Sequence, residues 1–339
     1  MAAVDRVLIV GAGISGLTLG IALRRTGIQV EILELRHEIR AQTGVGLSLQ
    51  GNALAALARI GLASDCVAQG VAANHINIRS ADGALLARQP VLRMGGETLP
   101  STLGISRPVL HEILLRAGEY SGITLRTGVT VEHVASDDSG VDVRLTDGSE
   151  RRVGLLVGAD GIYSRTVLWC TRTSCRNPVG RRCGARPCRA LRAAIPRSCT
   201  SAARSARWAS VPSRMTQPTS TSWRALPATP AYEHEALAAV MLEKLRPYTG
   251  AMLRECVEHL AHAGSISVRP LEWLLAPAPW HRRRVVLVGD AAHSNPPVLA
   301  QGAAMGSRMQ PCWPSCWAKR RSFRRCSSAL SRAAIRAPA

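Results

Sequence analysis

Three short stretches hold the residues with chemistry to offer. The first is Gly11-Ala12-Gly13-Ile14-Ser15-Gly16, with Glu34 downstream. Glycines at this spacing suit a diphosphate. Gly11 permits a tight turn, Gly13 lets backbone approach a pyrophosphate with no Cβ in the way, and Gly16 lets a helix pack on a strand. Glu34 is placed to accept hydrogen bonds from an adenosine ribose. The other two stretches are Leu155-Leu156-Val157-Gly158-Ala159-Asp160-Gly161 and Val285-Val286-Leu287-Val288-Gly289-Asp290-Ala291-Ala292-His293. Each is an apolar run ending in a turn that carries one acid. An acid at the C-terminal end of a strand lies where α/β sheets bind ligands.

The elements around these residues give the motif its meaning. Val7 to Val10 is an apolar β-run, Leu17 to Thr26 is helix-like, and Val30 to Glu34 is a second strand. The order strand, glycine turn, helix, strand separates a dinucleotide site from a glycine turn that merely packs a βα corner. Further along, Asn52 to Gly61 reads as a helix stopped by its glycine. Residues 74 to 92 read as two strands around Asp82-Gly83. Pro108 opens a helix running to about Gly118. Ile123 to Leu125, Val129 to Ala135 and Val141 to Leu145 alternate as strands, turning at Asp137 to Gly140 and at Asp147-Gly148. Ile162 to Val167 reads as a short helix that Asp160 would cap. The expected class is α/β, with a Rossmann-like dinucleotide-binding domain.

A net charge of +20 on 339 residues first suggests a nucleic-acid or membrane-surface protein. Its distribution argues otherwise. Residues 161 to 232 hold 13 Arg and no acid, and residues 291 to 339 hold 8 Lys or Arg and no acid. Removing those 21 leaves 22 basic against 23 acidic residues, a balance of −1. The same blocks hold 8 of the 10 Cys and 5 of the 7 Trp, and periodic apolar patterning nearly vanishes in them. Neither a helix nor a strand that must bury a face tolerates that loss. Cys183 with Cys188, or Cys312 with Cys316, lacks the companion ligands that would complete a metal site. No apolar run approaches the roughly 20 residues of a membrane span, and no signal peptide precedes the first strand, so the expected compartment is the cytoplasm.

Taken together, the three stretches resemble the flavin-dependent aromatic hydroxylases of the p-hydroxybenzoate hydroxylase type, the class A flavoprotein monooxygenases. The matching residues are the glycine turn with Glu34, Gly158-Ala159-Asp160-Gly161, and Gly289-Asp290-Ala291-Ala292-His293 followed by Pro296-Pro297 and Ala300-Gln301-Gly302. Gly44 to Gly61 and Ser106-Arg107-Pro108 with Leu110 also follow the family pattern. The resemblance covers residues 4 to 166 and 231 to 306. It implies an FAD-binding domain interleaved with a β-sheet substrate domain whose strands begin around residues 74 to 105.

By that resemblance, FAD would be held by Gly11, Gly13, Ser15, Gly16, Glu34, Leu35, Arg36, Gly46, Arg107, Val129, Asp160, Gly289, Asp290, Gln301, Gly302 and Ala303. Glu34 would take the adenosine ribose, Arg107 the phosphate or ribityl region, and Asp290 the ribityl chain. Asp160 would lie beside the diphosphate and help NADH or NADPH bind transiently. The segment from Gln301 would aim helix N–H groups at the flavin pyrimidine ring, where reduction places negative charge. The reduced flavin would take up O2 and transfer one oxygen atom to an aromatic or polycyclic small molecule. Each residue has a plainer reading: Glu34 as a solvated strand end, Arg107 as a surface partner for a carboxylate, Asp160 as a helix cap. His293 reads as packing or hydrogen bonding beside the flavin site, and no general base is assigned.

The pattern then breaks. The family would continue past Arg165 into a sheet covering substrate, and past Gly306 into a helix carrying Glu-Asp-Ala. Here the first continuation dissolves near Leu168 and the second at Ser307. An acid-free block rich in Arg, Cys and Trp is what a GC-rich gene yields when read out of frame. Joining the third base of each codon to the first two of the next lets Ser307 to Pro311 read Glu-Asp-Ala followed by Ala. The same offset turns Trp208 to Trp223 into a plausible strand. The expectation is two out-of-frame stretches, 167 to 230 and 307 to 339, with helical periodicity resuming over Tyr232 to Leu245. Pro311 and Pro314 would stop the last helix early, and exposed apolar surface would remain where the sheet and helix should pack. The literal chain would then be poorly stable and weakly active. The competing classes are an FAD oxidoreductase that inserts no oxygen and a basic nucleic-acid binder, whose affinity would fall steeply with salt.

Overall fold

The computed structural model describes residues 4–39, 46–170, 207–211, 219–223, 237–251, 254, 257, 274–276 and 278–294. Its elements run β1 (Arg6–Val10), α1 (Ile14–Arg24), β2 (Gln29–Glu34), β3 (Gly46–Gln50), α2 (Gly51–Arg59), α3 (Ala63–Gln69) and β4 (Val71–Ala73). Then come β5 (His75–Arg79), β6 (Leu85–Pro90), β7 (Thr102–Ser106), α4 (Arg107–Tyr120), β8 (Thr124–Thr127), β9 (Val131–Ser136), β10 (Val141–Leu145), β11 (Glu150–Val153), β12 (Leu155–Gly158) and α5 (Val167–Cys170). The remaining described elements are β13 (Arg207–Val211), β14 (Thr219–Trp223), α6 (Leu237–Leu245), β15 (Leu274–Leu275), β16 (His281–Arg282), β17 (Val285–Leu287) and α7 (Asp290–His293).

A six-stranded sheet in the order β16-β17-β12-β1-β2-β8 carries the fold. Its strands are parallel except β16, which runs antiparallel to β17 at the edge. The period of two in β1 splits its side chains between two cores. Val7 and Ile9 join a core with Leu17, Leu19 and Leu23 of α1 and Leu110 and Leu114 of α4. Leu8 and Val10 join a second core with Val141, Val143 and Leu145 of β10, and with Trp280. Helices therefore cover one face of the central sheet, and the antiparallel sheet β11-β10-β9 covers the other. This explains why Val7 to Val10 of β1 and the whole of β12 are apolar on both faces: both faces are buried. It also explains why β10 alternates, with Val141, Val143 and Leu145 buried and Asp142 and Arg144 exposed.

The mixed α/β architecture agrees with the sequence reading, as does the hairpin β5–β6 around Gly83. Two expectations need correction. Ile162 to Val167 is a turn, and the helix comes later as the four residues of α5. The Asp160 carboxylate takes the amides of Arg165 and Thr166, which fixes a compact turn where a helix was expected. The basic middle block also holds secondary structure. β13 and β14 pair antiparallel from Arg207↔Trp223 to Val211↔Thr219. Thr219, Thr221, Trp208 and Trp223 favour strands, and local β-propensity suffices for a ladder without a strictly alternating pattern.

Candidate functional site

The three parallel strands β1, β12 and β17 end at one corner of the sheet, and the turn after each carries one of the sequence motifs. Val10 pairs with Gly158, and Gly158 pairs with Leu287. Backbone bonds continue past the strand ends: Ala159 N–H donates to Val10 O at 2.8 Å, and Val288 N–H to Gly158 O at 2.9 Å. The motifs touch one another. Gly11, at φ +105°, lies so close to β12 that a Cβ would sit 2.4 Å from the Ala159 carbonyl oxygen. Gly289, at φ +59°, faces Ser15, whose Oγ a Cβ there would meet at 2.3 Å. Glycine is required at both positions by backbone angle and by space.

Gly16 packs against Gly11, where a Cβ would stand 2.0 Å from the Gly11 carbonyl oxygen, so α1 starts directly on the turn. A Cβ on Gly13 would meet no atom within 4 Å, which leaves open backbone at the N-terminus of α1. The first-turn amides of a helix have no acceptor inside it, and the helix dipole favours an anion there.

Glu34 ends β2 beside this turn. Its Oε2 accepts from Ala12 N–H at 3.1 Å and its Oε1 from Arg36 N–H at 3.1 Å. Each carboxylate oxygen keeps a second lone pair, so a ribose hydroxyl can still be received. The plainer reading of Glu34 as a solvated strand end does not describe this carboxylate, which braces the turn. Leu35 and Arg36 follow as exposed loop residues. Gly128 N–H donates to Arg36 O, and Val129 N–H donates to Glu34 O at 3.2 Å, which sets buried Val129 beside the acid.

On the other side, Gly46 pairs with Ser106 at the start of α4, and exposed Arg107 is the first residue of that helix. The Ser106 side chain caps it by accepting from Val109 N–H. Asp290 projects from the turn after β17 and carries substantial surface exposure, yet protein packed around it pushes its carboxyl pKa up while the Arg107 charge pulls it down. The Arg107 charge thus reaches the Asp290 carboxyl across the corner. Gln301, Gly302 and Ala303 lie outside the described residues.

Asp160 closes the turn that follows β12. Its Oδ2 accepts from Arg165 N–H at 2.8 Å, Thr166 N–H at 3.1 Å and Thr166 Oγ1 at 3.0 Å. Its Oδ1 is buried without a hydrogen-bond partner among the described residues. A buried carboxylate oxygen in that state costs free energy, and such a group commonly awaits a ligand or water. His293 is buried and its ring lies 5.2 Å from that of Trp280, tilted by 41°. Burial lowers its pKa.

One residue of the corner escaped the sequence reading. His111 is 4% exposed, and its Nε2 lies 2.8 Å from the carbonyl oxygen of Ala12, in the middle of the glycine turn. The available signal was its spacing. His111 is one helical turn after Arg107, so both project from the same side of α4. A polar residue in the buried stripe Leu110, Ile113 and Leu114 needs a partner, and the turn supplies it.

Open backbone at Gly13, a carboxylate with spare lone pairs at Glu34, and Arg107 and Asp290 farther along the corner suit an extended dinucleotide better than a mononucleotide. A family model described as an FAD binding domain matches residues 5–172. A putative FAD-dependent monooxygenase of Bacillus subtilis, YetM, is 30% identical over 304 residues, covering 88% of this chain and 80% of the relative. The 2-heptyl-3-hydroxy-4(1H)-quinolone synthase of Pseudomonas aeruginosa is 29% identical over 323 residues, covering 88% and 77%. Among solved structures, HpxO of Klebsiella pneumoniae complexed with FAD and uric acid superposes with a TM-score of 0.75 at 19% identity, covering 96% of this chain and 82% of that one. That likeness establishes the fold, and the sequence relatives establish the lineage: the chain belongs to the family of FAD-dependent monooxygenases built on this FAD-binding domain.

Proposed function

We propose that this protein's site serves NAD(P)H-driven hydroxylation of an aromatic or polycyclic small molecule, with FAD held along the corner described above. The observation that carries the reading is the convergence of Gly11–Gly16, Asp160 and Gly289–Asp290 at the ends of three adjacent parallel strands. The balanced reaction is substrate–H + O2 + NAD(P)H + H+ giving substrate–OH + H2O + NAD(P)+. Bound FAD supplies the redox chemistry. The chain's own residues bind and orient. Amides at the start of α1 receive the diphosphate, Glu34 the ribose, and Arg107 with Asp290 the stretch between diphosphate and ring. Gln301, Gly302 and Ala303 complete the set at the flavin. The quinolone named for one relative and the uric acid bound to another both support a planar, heteroaromatic class of substrate.

We further infer that residues 167–230 and 307–339 are out-of-frame translations, so that residues 4–166 and 231–306 keep the FAD half while the cover over substrate is lost. The family match ends at residue 172, close to where apolar patterning dissolves. The chain as written is then poorly stable and carries little activity. The deciding experiment compares this chain with one whose frame is restored across codons 165 to 235 and 300 to 339, assaying FAD content, NAD(P)H-dependent oxygen uptake and product mass. Hydroxylated product from the restored chain alone is the expected result. Full coupled activity from the chain as written would overturn the out-of-frame reading. NAD(P)H oxidation by the restored chain without oxygen insertion would overturn hydroxylation in favour of an FAD reductase or dehydrogenase.

A further inference from the structure

We infer that His111 is a positioning residue for the cofactor, which locks the glycine turn to the helix that carries Arg107. The inference rests on the FAD reading above and concerns how the glycine turn is held in its binding shape.

The argument begins at Ala12, which is 1% exposed and contributes no side-chain chemistry. Both of its backbone polar atoms are committed to side chains. Its N–H donates to Glu34 Oε2 at 3.1 Å, and its carbonyl lies 2.8 Å from His111 Nε2. A carbonyl oxygen only accepts, so the ring nitrogen facing it carries the hydrogen and the tautomer is fixed by the geometry. The peptide units on either side of Ala12 are thus pinned from opposite directions, one by the end of β2 and one by α4. The next residue is Gly13, the open stretch of backbone where a diphosphate would lie. Glycine turns are conformationally free, and Gly11 at φ +105° gives this one a further hinge. Holding Ala12 by both atoms removes that freedom before the ligand arrives, which is how preorganisation improves affinity.

The same bond has a second consequence. Arg107 and His111 are separated by one turn of α4, so fastening His111 to the glycine turn also fixes where Arg107 starts relative to the diphosphate site. Ser106 holds the helix start from the other side, through its cap on Val109 and its pairing with Gly46. His111 therefore couples two parts of the site that the chain order separates, the turn at residues 11–16 and the arginine at 107. Buried at 4% exposure, it acts through the turn it holds. Its contribution is to cofactor affinity and to the geometry of the diphosphate.

Three variants, each made in the chain as written and in its frame-restored form, test this, titrated with FAD by flavin fluorescence and observed by 31P NMR of the bound diphosphate. His111→Phe keeps the ring's bulk and removes the donor, while His111→Gln extends an amide donor toward the same carbonyl. His111→Asn has a donor too short to reach it, and replaces the Phe variant if that one does not unfold cooperatively without FAD. Losing one buried hydrogen bond should raise the FAD Kd about five- to tenfold in His111→Phe or His111→Asn. His111→Gln should bind within about threefold of the parent, as one hydrogen bond re-formed at imperfect geometry predicts. The diphosphate resonances should shift in the donor-less variant and return in His111→Gln, a response that general loosening of the helix would not give. Affinity and 31P shifts unchanged in the donor-less variant, or equally altered in all variants, would overturn the inference while leaving FAD binding intact. If neither the parent chain nor its frame-restored form binds FAD, the cofactor reading itself is overturned, and the inference with it.

Discussion

The strand ends bearing Gly11, Asp160 and Gly289 rest on two buried cores, whereas the hairpin β5–β6 carries Ile76, Ile78, Leu85 and Leu86 at 55%, 42%, 52% and 66% exposure. Both regions are built from the same kinds of residue. In the corner, each apolar side chain meets a layer on one face of the central sheet or the other. In the hairpin, Ile76 and Ile78 share a face by the period of two, and that face is bare. A two-stranded hairpin is marginal unless its apolar face is covered. On the proposed reading, the cover belongs to the stretch read out of frame. The difference teaches that, among the described residues, the corner is covered on both faces of its sheet, while the hairpin's apolar face is not.

Substitutions in the corner should therefore cost far more than matched ones in the hairpin. The largest effect is expected for Gly16→Ala, because its new Cβ would stand 2.0 Å from a backbone carbonyl that cannot move without opening the glycine turn. We expect a loss of about 3 kcal/mol, the upper end for overpacking, and no measurable FAD binding. A retained thermal midpoint with normal flavin content would break the comparison. Leu8→Ala, at a position with no exposure between two layers, should cost about 2–5 kcal/mol. Ile78→Thr on the hairpin should stay within about 0.5 kcal/mol. Chemical denaturation of the two variants side by side checks the contrast, and equal losses would mean that the hairpin face is covered after all.

Much of the corner was legible because glycine spacing and apolar strands report backbone geometry directly. Gly11 and Gly289 were readable as turn glycines, and their positive φ angles give the reason. The layer on each side of β1 was legible in the unbroken run Val7 to Val10, since only a strand buried on both faces reads so. His111 was not legible, because its partner is a backbone carbonyl 99 residues away and no side-chain pattern announces one. The fate of Asp160 was half legible. Its position at a strand end suggested a ligand, but the choice of which amides its Oδ2 would take depended on how the following turn closed. The ladder β13–β14 was missed because an argument from whole-block patterning overlooks local strand preference over five residues.

A middle-sized effect comes from Glu34→Gln, which keeps the shape and gives the Ala12 amide a weaker acceptor on one oxygen only. FAD affinity should fall about tenfold, the worth of one charge-assisted bond relative to a neutral one. Isothermal titration would show it, and an unchanged Kd would return Glu34 to the status of a strand-end acid. Asp290→Asn sharpens the comparison in the opposite direction. Burial raises the pKa of Asp290, so the folded chain holds its proton more tightly than the unfolded chain does. As pH rises above about 4, the reference value of an aspartate, that difference turns into a loss of stability. The Asn variant should therefore melt higher than the parent at neutral pH in the absence of FAD, yet bind FAD more weakly. A lower melting point would mean that the Arg107 attraction outweighs the burial.

The smallest effect is expected at His293, behind the corner. Burial lowers its pKa below the usual histidine value, so on acidification the unfolded chain takes up its proton first. The contribution is absent above the reference pKa of about 6.5 and becomes a destabilisation as pH falls from there toward the folded value. For one proton the slope cannot exceed about 1.4 kcal/mol per pH unit. Asp82, Asp137 and Asp147, whose pKa values are lowered by hydrogen bonds, begin to lose their own contributions only near pH 4 and below, and in an Asp290→Asn background, which removes the raised carboxyl of opposite sign, a window from about 6.5 to 5 isolates the histidines. His281 shifts in the same direction but is only half-buried. Thermal midpoints measured across that window should fall in that background and flatten when His293→Gln is added. If the slope persists in His293→Gln and vanishes in His281→Gln, the acid sensitivity belongs to the sheet edge at β16, and the corner is the more robust of the two regions even against protons.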